Sequence, residues 1–276
     1  MPAQISDQLV EDFQRDGVVV LRGAFRDWTS HLEQAVAEAM AAPSARERSY
    51  RPADGTPRFF QDYARWPEFE GLCRFIFESD AAPIAARLMR SRGARFFHDH
   101  ILVKPAGTSQ VTPWHQDQPY YCVEGQQSVS FWVPLDPVSR EVSMECVAGS
   151  HRWSERDFEP LRFDGSPLYR TGAQAYAQLP DIDARRADFD IRGWALEPGD
   201  AVAFNFRTVH GAPANHSSTP RRAVSFRWVG DDARWAVRSG PTSPPYPHLN
   251  LPDGAPFDAP DFPLVFSTPP QEGARP

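Results

Sequence analysis

Cysteine is scarce in this chain: Cys73, Cys122 and Cys146 are widely spaced and odd in number, which argues against a disulfide frame or a thiolate metal site. No apolar run approaches the roughly 18 residues that would cross a bilayer. The opening MPAQISDQLVEDF has neither the basic nor the apolar stretch of a signal peptide. These absences predict a cytoplasmic protein with no membrane partner. An excess of basic residues is missing as well. Asp and Glu outnumber Lys and Arg by 36 to 29, giving a net charge of −7, so nucleic acid is not an expected partner. No internal repeat is present.

The 276 residues are ample for one β-rich domain with a full core. Residues 1–92 read as mainly helical. Ser6 is a good N-cap, Leu9, Val10 and Phe13 make an apolar stripe, and Gly17 is a helix stop. GVVVLRG then reads as a strand bounded by glycines. Trp28, Leu32, Val36 and Met40 recur every four residues and predict a helix over 27–42. Residues 43–65 read as loop, and 67–78 and 81–91 as two more helices. From 93 to 230 the pattern turns to β, with strands in FFHDHILVKP, QSVSFWVPL, VSMECVAG, AVAFNF and RAVSFRWVG. A charged insert at 153–192 breaks that rhythm and reads as loop with short helical pieces, and 231–276 is a proline-rich segment barred from inner strands. The expected architecture is α+β in a single domain, helices followed by an antiparallel barrel or double sheet.

TPWHQDQPYY sits at a predicted strand end. Residues two apart on a strand face one side, so His115 and Asp117 can both point into one cavity. The plain alternative is a polar turn pair. A third ligand should come from a distant strand, and the candidate is His210 in FNFRTVHGAPAN; two imidazoles with one carboxylate form the facial triad of non-haem Fe(II) oxygenases. Such a centre leaves open positions for a 2-oxo acid and O2. Arg221 and Arg222 follow on the next strand and are suited to a distal carboxylate. Strand parity groups Arg221, Ala223, Ser225 and Arg227 on a small, polar face and Arg222, Val224, Phe226 and Trp228 on a bulky apolar one. The first face leaves room for ligands and selects Arg221.

In that order and spacing, WHQD, VAGSHRW, PGD, VHGAPAN and PRRAVSFR resemble the phytanoyl-CoA dioxygenase family, as does FQRDGVVVLRG near the start. The resemblance covers roughly residues 10–230. It implies a double-stranded β-helix, the jelly-roll core also seen in cupins, with the N-terminal helices packed outside. By position it implies His115, Asp117 and His210 as iron ligands, Arg221 as the 2-oxoglutarate anchor and Lys104 as a second basic contact. The implied cofactors are Fe(II), 2-oxoglutarate and O2. The implied activity is hydroxylation of a C–H bond of a small-molecule substrate, with release of succinate and CO2. The chain departs from the family in carrying Ala212 where some members have a small hydroxyl residue, and VSMECV in place of an NGCL-like pattern.

Two other readings stand beside this one. The first is a cupin-like metal or small-ligand binding protein without turnover. The second is a halogenase, disfavoured because relatives of that kind lose the carboxylate that Asp117 supplies here. Further substrate contacts are expected from His98 and His100, which share a strand face with Lys104, from Tyr121 beside Tyr120, and from Arg152 in the insert, with Arg156, Arg162 and Arg170 as lesser choices. The chain is expected to be a monomer or homodimer.

Overall fold

The computed structural model describes residues 5–162, 166–169 and 176–269. In chain order the elements are α1 (Asp7–Asp16), β1 (Val18–Leu21), α2 (Thr29–Ala41), β2 (Phe60–Tyr63), α3 (Glu70–Glu78), α4 (Ala81–Met89) and β3 (Gly93–Lys104). There follow β4 (Thr112–His115), β5 (Val123–Glu124), β6 (Ser128–Pro134), β7 (Glu145–Val147), β8 (Ile191–Arg192) and β9 (Ala201–Phe204). The last are β10 (His210–Ala212), β11 (Arg221–Val229), β12 (Arg234–Trp235) and β13 (Leu264–Ser267).

The first helix begins where Ser6 accepts a hydrogen bond from the Leu9 N–H and ends where Gly17 turns left-handed at φ 72°. Glycine is required there for space as well. A Cβ at Gly17 would come within 2.3 Å of the His151 ring and 2.7 Å of the Thr208 hydroxyl. The helices cover one face of a sheet ordered β1-β9-β6-β11-β3-β13, with β2 also paired to β3. Alternation fixes which side chains meet them. Phe131 and Val133 of β6 and Val224, Phe226 and Trp228 of β11 pack with Phe75, Ile76 and Leu88 of the helices. Phe75 stacks on Phe226 with ring centres 4.1 Å apart.

The opposite parity faces a second sheet, ordered β4-β10-β7-β8, and one apolar cluster joins Trp132, Val202 and Phe204 of the first sheet to Cys146 of β7 and to Met144 just before it. The proline-rich segment folds back over the chain. Tyr246, Phe257 and Phe262 pack on Phe97, Tyr121 and Trp235. The β13 strand pairs with the start of β3 at the sheet edge, a position compatible with flanking prolines.

One expectation changes. The stretch 43–65 is not all loop, because β2 pairs with β3 from Phe60↔Val103 to Tyr63↔His100. Its strand pattern is hidden by buried polar residues whose partners lie outside the strand: Asp62 pairs with Arg65 and accepts a hydrogen bond from Ser44. The described insert residues are mostly loop, ending in a short 3-10 turn at Arg186–Asp188 and the strand β8.

Candidate metal centre

Cross-strand pairing builds the centre. His115 ends β4 and His210 begins β10, and the antiparallel register sets them directly opposite each other. Asp117 lies just past β4, where its own N–H donates to the Phe206 carbonyl at 2.8 Å. A carbonyl can only accept, so the 2.8 Å contact from His115 Nδ1 to Pro113 O and the 2.9 Å contact from His210 Nδ1 to Thr208 O each fix an Nδ1–H tautomer. Both Nε2 lone pairs therefore turn inward, 3.6 and 3.9 Å from Asp117 Oδ1. One ligand atom from each residue lies within 4.8 Å of the others. Burial lowers the His210 pKa to about 4, which keeps it neutral. Burial alone would raise the Asp117 pKa, but the adjacent Arg227 charge holds it well below the usual carboxylate range. Neutral imidazoles and an ionised carboxylate are the states a divalent metal requires, so the three residues fit such an ion.

The centre opens into a cavity of about 610 Å³ that Arg221, Lys104, His100 and Tyr121 also line. Arg221 of β11 and Lys104 of β3 are cross-strand partners, so two buried basic side chains face one chamber. Arg221 donates to the Val142 carbonyl, and Lys104 donates to Pro213 O at 3.1 Å beside the Phe59 ring. Among the described residues neither pairs with a carboxylate. Burial lowers the Arg221 pKa to about 10 and takes that of Lys104 well below its ordinary value. The parity argument holds along β11: Ala223, Ser225 and Arg227 line the cavity with Arg221. Arg222 turns outward to Asp136 at 2.6 Å and Glu33 at 2.9 Å.

His100 stacks on Tyr63, with ring centres 3.9 Å apart, and its Nε2 lies 3.2 Å from Gln61 Oε1. Gln61 directs its NH2 to the Arg48 carbonyl, so its oxygen faces His100 and makes Nε2 the protonated nitrogen. Tyr121 lines the cavity with its hydroxyl taken up by Arg227. Arg162 is at the cavity wall, and Arg170 lies outside the described residues.

Two expected contacts fall elsewhere. His98 shares the parity of His100 but sits one row further along β3. It is fully buried against Phe97 and Tyr121 and is not in the cavity wall. Arg152 points away from the site and donates to the Arg15 carbonyl at 2.7 Å. The cause is Gly149, whose left-handed turn (φ 78°) and 2.6 Å bond from its N–H to the Asp16 carbonyl pin this segment to the end of α1.

Arg227 was not among the expected site residues. Its Nη2 is 3.3 Å from Asp117 Oδ2, and its Nε donates to the Tyr121 hydroxyl. The signal was available in the parity of β11, which gives Arg227 the same face as Arg221. Tyr120 also lines the cavity. Its hydroxyl also holds the insert, donating to Leu161 O at 2.7 Å and accepting from Leu161 N at 2.8 Å.

A family model described as phytanoyl-CoA dioxygenase (PhyH) matches residues 13–223. A probable phytanoyl-CoA dioxygenase of Caenorhabditis elegans is 25% identical over 140 residues, which span 49% of this chain and only 42% of that protein. Among solved structures, the epimerase SnoN in complex with Fe3+, alpha ketoglutarate and nogalamycin RO is similar at TM-score 0.75 and 22% identity, covering 94% of this chain and 98% of that one. EctD from S. alaskensis, with 2-oxoglutarate and 5-hydroxyectoine, is similar at TM-score 0.65 and 19% identity, covering 91% and 85%. At such identities the structural likeness shows a shared fold of helices and antiparallel sheets. The family match covers most of the chain, which belongs to the phytanoyl-CoA dioxygenase family.

Proposed function

We propose that this family member is an Fe(II)- and 2-oxoglutarate-dependent dioxygenase that hydroxylates a C–H bond of a small molecule. In this reading His115, Asp117 and His210 hold the iron, Arg221 holds the far carboxylate of 2-oxoglutarate, and Lys104 supports it. The two sheets are then the halves of a double-stranded β-helix. The observation that carries the reading is a pair of buried basic side chains, with no carboxylate partner among the described residues, in the same cavity as a three-ligand site. A metal store has no need of them, whereas a dicarboxylate chelating the metal at one end would neutralise them at the other. The folds that hold iron and 2-oxoglutarate in SnoN, and 2-oxoglutarate in EctD, support the same assignment.

Bound iron supplies the activation of O2, coupled to the conversion of 2-oxoglutarate to succinate and CO2, with the second oxygen atom entering the substrate. The protein's part is placement. His115 and His210 keep their Nε2 lone pairs inward through their backbone bonds. Arg221 and Lys104 orient the cosubstrate. Tyr63, Tyr120, Leu161 and Leu168 line the remaining volume and suit a substrate with an apolar body. His100 is kept neutral by burial, and its Nδ1 has no protein partner among the described residues, so it can accept a hydrogen bond from a substrate hydroxyl or N–H.

The test is a substrate screen read by succinate formation, with mass spectrometry for the gain of one oxygen. Failure to consume 2-oxoglutarate with any compound would favour a binding protein. Succinate with a product of unchanged mass would retain the cosubstrate assignment and remove hydroxylation.

A further inference from the structure

The structure assigns Arg227 as a positioning residue that, braced by Tyr121, leaves only one oxygen of Asp117 free for the metal. The inference rests on the three-ligand centre proposed above and concerns how its carboxylate is held. The two oxygens of Asp117 have different surroundings. Oδ1 faces the Nε2 atoms of His115 and His210 at 3.6 and 3.9 Å, while Oδ2 is 3.3 Å from Arg227 Nη2. Arg227 and Asp117 are both buried, at 4% and 5% exposure, so the pair is poorly screened.

The guanidinium is itself immobilised. Its Nε donates to the Tyr121 hydroxyl, and the Tyr121 ring packs edge-on against Phe97 and Phe206, each with centres 5.2 Å away. The carboxylate end is anchored too, since the Asp117 N–H donates to Phe206 O at 2.8 Å. Phe206 thus supports both partners. With Oδ2 engaged, Asp117 can act only through Oδ1. In a six-coordinate centre this keeps three positions open, enough for two oxygens of a 2-oxo acid and one of O2. A bidentate carboxylate would leave two. The fork is needed for this task, because a lysine would restore the charge without bridging Oδ2 and Tyr121 together.

Co(II) is the probe, since it binds such sites in air and its visible bands report coordination. The expected result is that Arg227→Gln weakens Co(II) binding by about 10–100-fold and alters the band intensities, as loss of an outer partner does at metal sites. Tyr121→Phe shifts both in the same direction by less and serves if Arg227→Gln does not fold. Arg227→Lys restores neither. If Arg227→Gln and Tyr121→Phe bound Co(II) with wild-type affinity and spectrum, or Arg227→Lys restored both, the positioning role would be lost and Arg227 would only offset a buried charge. No Co(II) binding by the wild type, or binding unaffected by His210→Ala, would remove the three-ligand centre and this inference with it.

Discussion

Replacing Arg221 should separate ligand binding from fold stability in opposite directions. Arg221 is 6% exposed and has a carbonyl, not a carboxylate, as its protein partner. Burial lowers its pKa from 12.5 to about 10, so holding the cation there costs on the order of 3 kcal/mol. In the proposed complex the far carboxylate of 2-oxoglutarate offsets that cost through a charge-assisted contact worth about 1.5–3 kcal/mol. Arg221→Met should therefore weaken 2-oxoglutarate binding by about 10- to 150-fold. The methionine fills the space without a charge, so the ligand-free protein should melt at a higher temperature than the wild type. Arg222→Ala is the control one residue away. Its side chain is paired with Asp136 and Glu33 on the outer face, so it should change 2-oxoglutarate affinity by less than about 2-fold and reduce stability by roughly 1 kcal/mol. Calorimetric titration of the metal-loaded proteins and melting of the ligand-free ones give both numbers. Equal affinity in wild type and Arg221→Met, or a larger loss in Arg222→Ala, would refute the anchor and the parity on which it rests.

Single alanine variants of His115, Asp117 and His210 should each lose bound iron while circular dichroism stays that of the wild type; full iron occupancy in any one would remove that residue from the ligand set. Phe226→Ala should cost about 3–5 kcal/mol in urea unfolding, because it empties the stack on Phe75 beneath the helices; a loss below 1 kcal/mol would contradict that packing. Asp99 gives a pH signature: burial raises its pKa from 3.8 to about 6, against the opposing hydrogen bonds from the Arg65 and Trp66 N–H groups. The folded state then holds this proton more tightly than the unfolded one, so the group's contribution falls as pH rises from about 4 to about 6, by up to roughly 3 kcal/mol. The stability of Asp99→Asn relative to wild type should accordingly increase across that window, and a difference independent of pH would refute the shift.

Much of this was legible because alternation and capping act locally. Ser6 through its hydroxyl and Gly17 through its backbone bound α1 locally, and the parity of β11 separates Arg221 from Arg222 without knowledge of any partner. The failures required distant contacts. FQDY carries buried polar residues, and the contact that makes Asp62 acceptable inside a sheet, beyond its neighbour Arg65, comes from Ser44, 18 residues earlier, so β2 reads as loop. Arg152 borders the insert, yet the turn at Gly149 returns that segment to α1, a direction no local pattern encodes. Arg227 was on the predicted inner face and went unassigned because its role depends on Tyr121 and Asp117, 106 and 110 residues earlier.

Tyr120 holds three parts of the molecule at once. Its N–H donates to the Asp117 carbonyl at 3.1 Å, its carbonyl accepts from Ser243 N at 2.9 Å, and its hydroxyl exchanges two bonds with Leu161. The insert and the proline-rich segment are thus fastened, through the side chain and backbone of one residue, to the turn that bears Asp117. Asp117, Tyr120, Leu161 and Ser243 all line the one cavity, so these bonds tie three separate stretches of its wall together.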